Sequence, residues 1–150
     1  MSADFDFENF EDEAEKIRDK NYKYLDTFGE YLEAKGLKDK TIQKHLGNID
    51  FYINTFLLKY EILDVRQGCY KIDDFLGNWF IRKAMRSNAE SIKSNITSMK
   101  MFYGYLLKKG VIDNEDYDVL CGAIFSYKDH WLDLVRIYND PEQENPFLAF

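Results

Sequence analysis

Residues 39–57 read DKTIQKHLGNIDFYINTFL, and this stretch decides the fold class. Its apolar residues recur every three or four positions, which places them on one face of an α-helix. They are Ile42, Leu46, Ile49, Ile53, Phe56 and Leu57. Asp39 is the N-cap candidate, because a short acidic side chain can accept from the first free backbone N–H groups. The pattern predicts a helix from about Asp39 to Tyr60.

The same periodicity extends outward in both directions along the chain. It predicts a first helix over Glu13–Lys35, a third from Asp73 to about Arg86, and a fourth over Asn88–Lys109. A last helical segment begins at Asn114. The polar stretch Ser126–Asp129 either divides this segment into two helices or lies within a single one. Gly36 and Gly110 are the expected C-cap glycines, and residues 61–71 are expected to form a loop. Both prolines lie after residue 140, so nothing earlier interrupts a helix by its ring. We predict an all-α, single-domain orthogonal helical bundle of about five or six helices.

The ends of the chain differ in composition from this bundle. Residues 1–12 are expected to be an acidic N-terminal tail, residues 13–139 the helical domain, and residues 140–150 a C-terminal tail. The alternative for each end is that its aromatic residues dock on the folded body, through Phe5, Phe7 and Phe10 at the start and the Phe-Leu-Ala-Phe sequence at the end.

Composition favours a cytoplasmic protein. Hydrophobic residues make up 45% of the 150, enough for one sizeable core. No apolar run approaches the length of a membrane span, and the acidic start is unlike a signal or transit peptide. Cys69 and Cys121 lie far apart and outside any metal-binding motif, which is typical of a reduced compartment.

No catalytic constellation is visible in the sequence. His45 and His130 lie on different predicted helices without metal-ligand spacing. Asp73 and Asp74 are best explained as acids at a helix start, and Cys69 has no nearby histidine to activate it. We therefore expect no enzymatic activity, no cofactor and no bound metal.

Charge is distributed unevenly along the chain. The net charge is -7, which by itself argues against nucleic-acid binding. Residues 1–35 carry 11 acids and 5 bases, residues 36–110 carry 7 acids and 13 bases, and residues 111–150 carry 9 acids and 2 bases. A basic centre with net charge +6 thus lies between two acidic ends.

Two polar helix faces lie within this basic centre. On the second helix Lys40, Lys44 and Asn48 recur every fourth residue, flanked by Thr41 and His45. On the fourth, a polar face and a helix start combine lysines with small polar residues, namely Ser91, Lys93, Ser94, Asn95, Thr97, Ser98 and Lys100. Arg82, Lys83 and Arg86 on the third helix add positive charge. Such groups suit phosphate contacts, and the alternative is that they are ordinary solvated faces.

Two segments of the chain resemble a known family. Residues 31–46, YLEAKGLKDKTIQKHL, and residues 91–112, SIKSNITSMKMFYGYLLKKGVI, resemble in order and spacing the SAM-like core-binding domain of tyrosine recombinases, the phage integrases. The resemblance covers about residues 13–112. It implies a helical bundle that grips duplex DNA, with contacts from the positions Lys40, Thr41, Lys44, Ser91, Lys93, Ser94, Asn95 and Lys100.

The chain departs from that family after Ile112. Where the family has an Asn-Pro step into a catalytic domain, this sequence continues Asp113-Asn114-Glu115-Asp116 and then another acidic helical stretch. We therefore expect a stand-alone relative that binds DNA without recombinase activity. The alternative is a protein–protein interaction or self-association module that keeps the bundle and has lost DNA binding. A third hypothesis is that the acidic ends cover the basic centre and inhibit DNA binding in cis.

Overall fold

A computed structural model describes residues 3–148, with side chains from residue 7 onward. Within these residues helix is the only regular secondary structure, which confirms the all-α prediction. The α-helices are α1 (Ala3–Ala34), α2 (Asp39–Asp50), α3 (Ile72–Asp74), α4 (Phe80–Lys83), α5 (Ala89–Lys108) and α6 (Asn114–Asn139). A π-helical turn, Phe51–Phe56, continues α2, and a second, Phe75–Trp79, joins α3 to α4.

The chain folds into two compact units that divide at Gly68 and Cys69. Unit 1 contains α1, α2 and the first π turn, and unit 2 contains α3 to α6. The sequence predicts one domain over residues 13–139, since no Pro-, Gly- or Ser-rich linker marks this division. A short 3-10 helix, Gln67–Tyr70, carries the chain across it.

In unit 1 the long helix α1 packs against α2. Phe28 and Leu32 of α1 are fully buried, and Ile49 of α2 is buried as its periodicity predicts. Gly29 lies at this contact, where an added Cβ would be 3.4 Å from a Leu46 methyl carbon. At its start α2 differs from the prediction, because Lys38 occupies the N-cap position without a side-chain bond and Asp39 is the first helical residue.

Helix α1 begins at Ala3, ten residues before the predicted start at Glu13. The acidic residues assigned to a tail are therefore its first turns. No glycine or proline interrupts residues 3–28, and acidic side chains in the first turns of a helix interact favourably with its dipole. The Phe5 side chain lies outside the described part, whereas Phe7 is exposed and Phe10 half-buried.

The π turn after α2 buries three consecutive residues, Tyr52, Ile53 and Asn54. In an α-helix three successive side chains spread over about 200°. The wider turn, closed by the bond from the Leu57 N–H to the Tyr52 carbonyl (2.9 Å), reduces this spread. The buried Asn54 side chain of this turn accepts a hydrogen bond from the buried Asn21 amide of α1 (2.9 Å).

In unit 2, α5 agrees with the prediction. Five apolar residues that recur at helical spacing along it are all buried, namely Ile92, Ile96, Met99, Tyr103 and Leu106. Asn88 is its N-cap and forms a reciprocal capping box with Ser91. Gly110 follows the helix with a φ of 76°, a conformation that favours glycine.

Helix α6 is a single helix of 26 residues and is not divided at Ser126–Asp129. The four residues of that stretch are exposed but include no glycine or proline, and Trp131 and Val135 resume the buried stripe beyond them. Its N-cap is Asp113, in a capping box with Asp116, and not Asn114.

The segment after α6 has no helix, as expected for residues 140–148. The Phe147 ring nevertheless packs on the Tyr138 ring, with centroids 6.0 Å apart. The described part of the C-terminal segment thus contacts α6, in line with the docking alternative.

Candidate nucleic-acid interface

The first half of the candidate interface is the exposed face of α2 in unit 1. Lys40, Thr41 and Lys44 are all exposed on it. Lys40 and Lys44 are one helical turn apart, a rise of about 6 Å. Neither lysine forms an ion pair with any residue among 7–148. Both ammonium groups are therefore available to an external anion.

His45 does not belong to this face, although the sequence places it beside the lysines. It is only 7% exposed and packs into unit 1. Burial, and secondarily the charge of Lys44, lowers the pKa of His45 below its ordinary value. The histidine is thus a neutral core residue at neutral pH.

The second half of the candidate interface is the exposed face of α5 in unit 2. Lys93, Thr97 and Lys100 are exposed there, as their spacing predicts. Lys93 and Lys100 are seven positions apart, which corresponds to a rise of about 10 Å, or about three base-pair steps along one strand. Lys93 pairs with Glu90 at 3.8 Å, but both side chains are largely solvated, so this ion pair is weak.

Two predicted contact residues near the start of α5 serve the helix itself. The Ser91 hydroxyl accepts from the Asn88 N–H (2.9 Å) and donates to the Asn88 carbonyl (2.9 Å). The prediction that Asn95 contacts DNA is wrong, because this side chain is 2% exposed. Asn95 lies on the same side of α5 as Ile92 and Ile96, and its amide donates to the Ser91 carbonyl (2.9 Å). Ser94 is half-buried.

A cationic group outside the predicted contact set lies at the end of α4 and in the turn that follows it. Arg82, Lys83 and Arg86 are all exposed. Arg82 Nε donates to Asn78 Oδ1 (2.6 Å), and this bond fixes the direction of the Arg82 side chain. Over residues 78–109 the sequence has seven bases and one acid. The charge of this segment is visible in the sequence, and the structure shows that Arg82, Lys83 and Arg86 are all exposed.

The end of the chain, which includes α6, is acidic, in contrast to the basic residues 78–109. From residue 110 onward the sequence has nine acids and two bases. Asp116 is buried and accepts from the Tyr70 hydroxyl (2.7 Å), a bond that raises the pKa of Tyr70 to about 12. The acids of α6 thus serve in capping and packing as well as at the surface.

Unit 1 also contains an open cleft of about 800 Å³ between α1 and the π turn. Phe10, Tyr22 and Leu58 give it an apolar lining, and Arg18 and Asp50 add opposite charges. Over residues 3–148 no cluster of histidine, cysteine and carboxylate side chains could hold a metal ion, and no helix combines the length and apolar character needed to cross a membrane.

Comparison with known proteins gives no relative from which a role could be transferred. The chain matches no protein-family model, no curated protein and no solved structure.

Proposed function

We propose that this protein is a non-enzymatic module that binds the phosphate backbone of duplex DNA through α2 and α5. The observation that carries the proposal is the pair of exposed lysine faces, Lys40 with Lys44 and Lys93 with Lys100, in a segment of net charge +6. Each face offers two cations on a rigid helix at a fixed spacing. The resemblance to the core-binding domain of tyrosine recombinases supports the same assignment.

The physical basis of this binding is counterion release. Each phosphate that a lysine neutralises frees condensed cations, so affinity falls steeply as salt rises. Lysines act as point charges and do not read base edges as bidentate arginines do. We therefore expect a broad preference for duplex DNA with little sequence discrimination.

Charge reversal of each face tests the proposal. Lys40→Glu with Lys44→Glu, and separately Lys93→Glu with Lys100→Glu, should each weaken binding to a labelled duplex of about 30 base pairs by about tenfold or more at low salt. Fluorescence anisotropy across a salt series should also give a smaller salt dependence for each double variant, because fewer phosphates are neutralised.

The matched control is Lys128→Glu, which reverses an exposed lysine on the acidic helix α6. Lys128→Glu should reduce the affinity for DNA less than one lysine-to-glutamate change on the α2 or the α5 face does. Circular dichroism and thermal unfolding would confirm that all variants fold. Salt-insensitive binding, or affinities unchanged in both double variants, would contradict the proposal and favour the protein-interaction alternative.

A further inference from the structure

The turn between α4 and α5, residues 84–88, presents an apolar side chain to solvent. Met85 falls within the third predicted helix, Asp73 to about Arg86, but α4 ends at Lys83 and Met85 is 90% exposed. By contrast Met99 of α5 is fully buried. Met85 therefore gains nothing from folding, and its position calls for a different explanation from core packing.

Hydrogen bonds on both sides hold this turn in place. The Ser87 hydroxyl donates to the Ile81 carbonyl (2.8 Å), and Asn139 of α6 donates to the Ser87 carbonyl (2.7 Å). Asn88 then caps α5 through Ser91. The tip is preorganised, so little conformational entropy is lost when Met85 enters a binding partner.

Backbone strain at the tip has the same implication. Arg86 has a φ of 59°, a left-handed conformation that ordinarily favours glycine. Helix α4 ends at Lys83 with an extended Ala84, and the left-handed Arg86 follows Met85 in the same turn. The exposed methionine thus lies in a tight turn with a defined backbone conformation.

Three cationic residues are close to the exposed methionine in sequence. Arg82, Lys83 and Arg86 lie within three residues of Met85, and residues 75–89 contain no acid. An exposed apolar side chain with cationic residues nearby is complementary to a polyanion that has an apolar interior. Stacked base pairs between two phosphate backbones are such a partner, and apolar side chains including methionine are known to enter base steps in this way.

We propose that Met85 is a wedge that inserts at a base step of duplex DNA while Arg82, Lys83 and Arg86 contact the flanking phosphates. This inference rests on the proposed function and adds a deformation of the duplex to its backbone contacts. A wedge unstacks the step that it enters. The protein should therefore bind more tightly to a duplex whose bases are already partly unstacked, as they are at a mismatch.

The test compares two duplexes of about 30 base pairs that differ by one central mismatch, using anisotropy with the full-length protein. The wild-type protein should bind the mismatched duplex about fivefold more tightly or better, since its unstacking cost is lower. Met85→Ala should abolish this preference while leaving the salt dependence unchanged, because the lysine contacts remain.

Phe125→Ala is the matched control. Phe125 is also 90% exposed, but it lies on α6 outside the cationic turn, so its loss should leave the mismatch preference intact. Met85 is exposed, and its truncation should not affect folding, which thermal unfolding would verify.

Other outcomes separate the wedge from the function on which it rests. Equal binding of both duplexes by the wild type, or a preference that survives in Met85→Ala, would overturn the wedge and leave backbone binding standing. Absence of DNA binding would overturn both. In that case Met85-dependent binding to vesicles containing phosphatidylserine would reassign the turn to an anionic lipid surface.

Discussion

Because His45 is buried, it contributes to the pH dependence of the free energy of unfolding. The side chain lies on α2 directly after the exposed Lys44, yet it is only 7% exposed. Desolvation, with Lys44 as a smaller contribution, lowers its pKa from 6.5. The folded protein therefore binds this proton less readily than the unfolded chain does.

Stability should consequently fall as the solution is acidified below about pH 6.5, the ordinary pKa of histidine. Above that pH both states carry a neutral imidazole, so this contribution is constant. Below it the unfolded chain takes up the proton first, until the pH reaches the lowered pKa of the folded state. Urea unfolding of the wild type and of His45→Gln between pH 7.5 and 5 would measure the difference.

The His45→Gln variant should show a shallower loss of unfolding free energy over that range. His130→Gln, which changes the exposed histidine of α6, is the control and should follow the wild type. Identical slopes for the wild type and His45→Gln would show that the buried histidine does not contribute to the acid sensitivity.

The segment formed by α3, the π turn and α4 depends on a close approach to α6. The Trp131 indole N–H donates to Asp73 Oδ1 (2.7 Å), and Gly77 lies against this bond. A Cβ at residue 77 would lie 2.7 Å from Asp73 Oδ1 and 2.8 Å from Trp131 Nε1. The absence of a side chain there is what permits the contact.

Gly77→Ala should therefore destabilise the protein by about 2 kcal/mol, because either the hydrogen bond breaks or the helices separate. Urea unfolding followed by tryptophan fluorescence would measure the loss. Gly122→Ala in α6 is the control, since an added Cβ meets nothing within 4 Å there. It should be neutral or stabilising by up to about 1 kcal/mol. Equal stability of the two variants would contradict the role given to Gly77.

At the scale of the whole molecule, the acidic first turns of α1 contrast with the lysine-bearing faces of α2 and α5. The first turns of α1 carry exposed acids, including Glu8, Glu11 and Asp12, and α2 and α5 carry the exposed lysines. At low ionic strength the field of exposed charges extends over about 30 Å, and at 0.1 M salt over about 10 Å. The acidic helix start should therefore oppose DNA binding mainly when salt is low.

Neutralising these acids with Glu8→Gln, Glu11→Gln and Asp12→Asn should raise DNA affinity about two- to threefold at low salt and leave it unchanged at high salt. Anisotropy titrations at both salt concentrations would provide the measurement, with the wild type titrated in parallel. A gain that persists at high salt would indicate direct occlusion, and no gain at low salt would remove the hypothesis of inhibition in cis.

The sequence by itself determined the helical elements and much of the candidate interface. Periodicity located the core of α5, and it placed Lys40, Lys44, Lys93 and Lys100 on exposed faces. These features depend on the 3.6-residue repeat, which any sequence window of sufficient length reveals. Glycine at residue 110 and asparagine at residue 88 marked the ends of α5 for equally local reasons.

Only the tertiary structure decided which polar residues leave the surface and which apolar residues reach it. Asn95 and His45 are buried, and Met85 is exposed, because each depends on where neighbouring helices pack and where α4 ends. The π turns are a further example, since the joint burial of Tyr52, Ile53 and Asn54 in one of them departs from α-helical periodicity. Local pattern specifies the elements, whereas burial depends on contacts between residues that are distant in sequence.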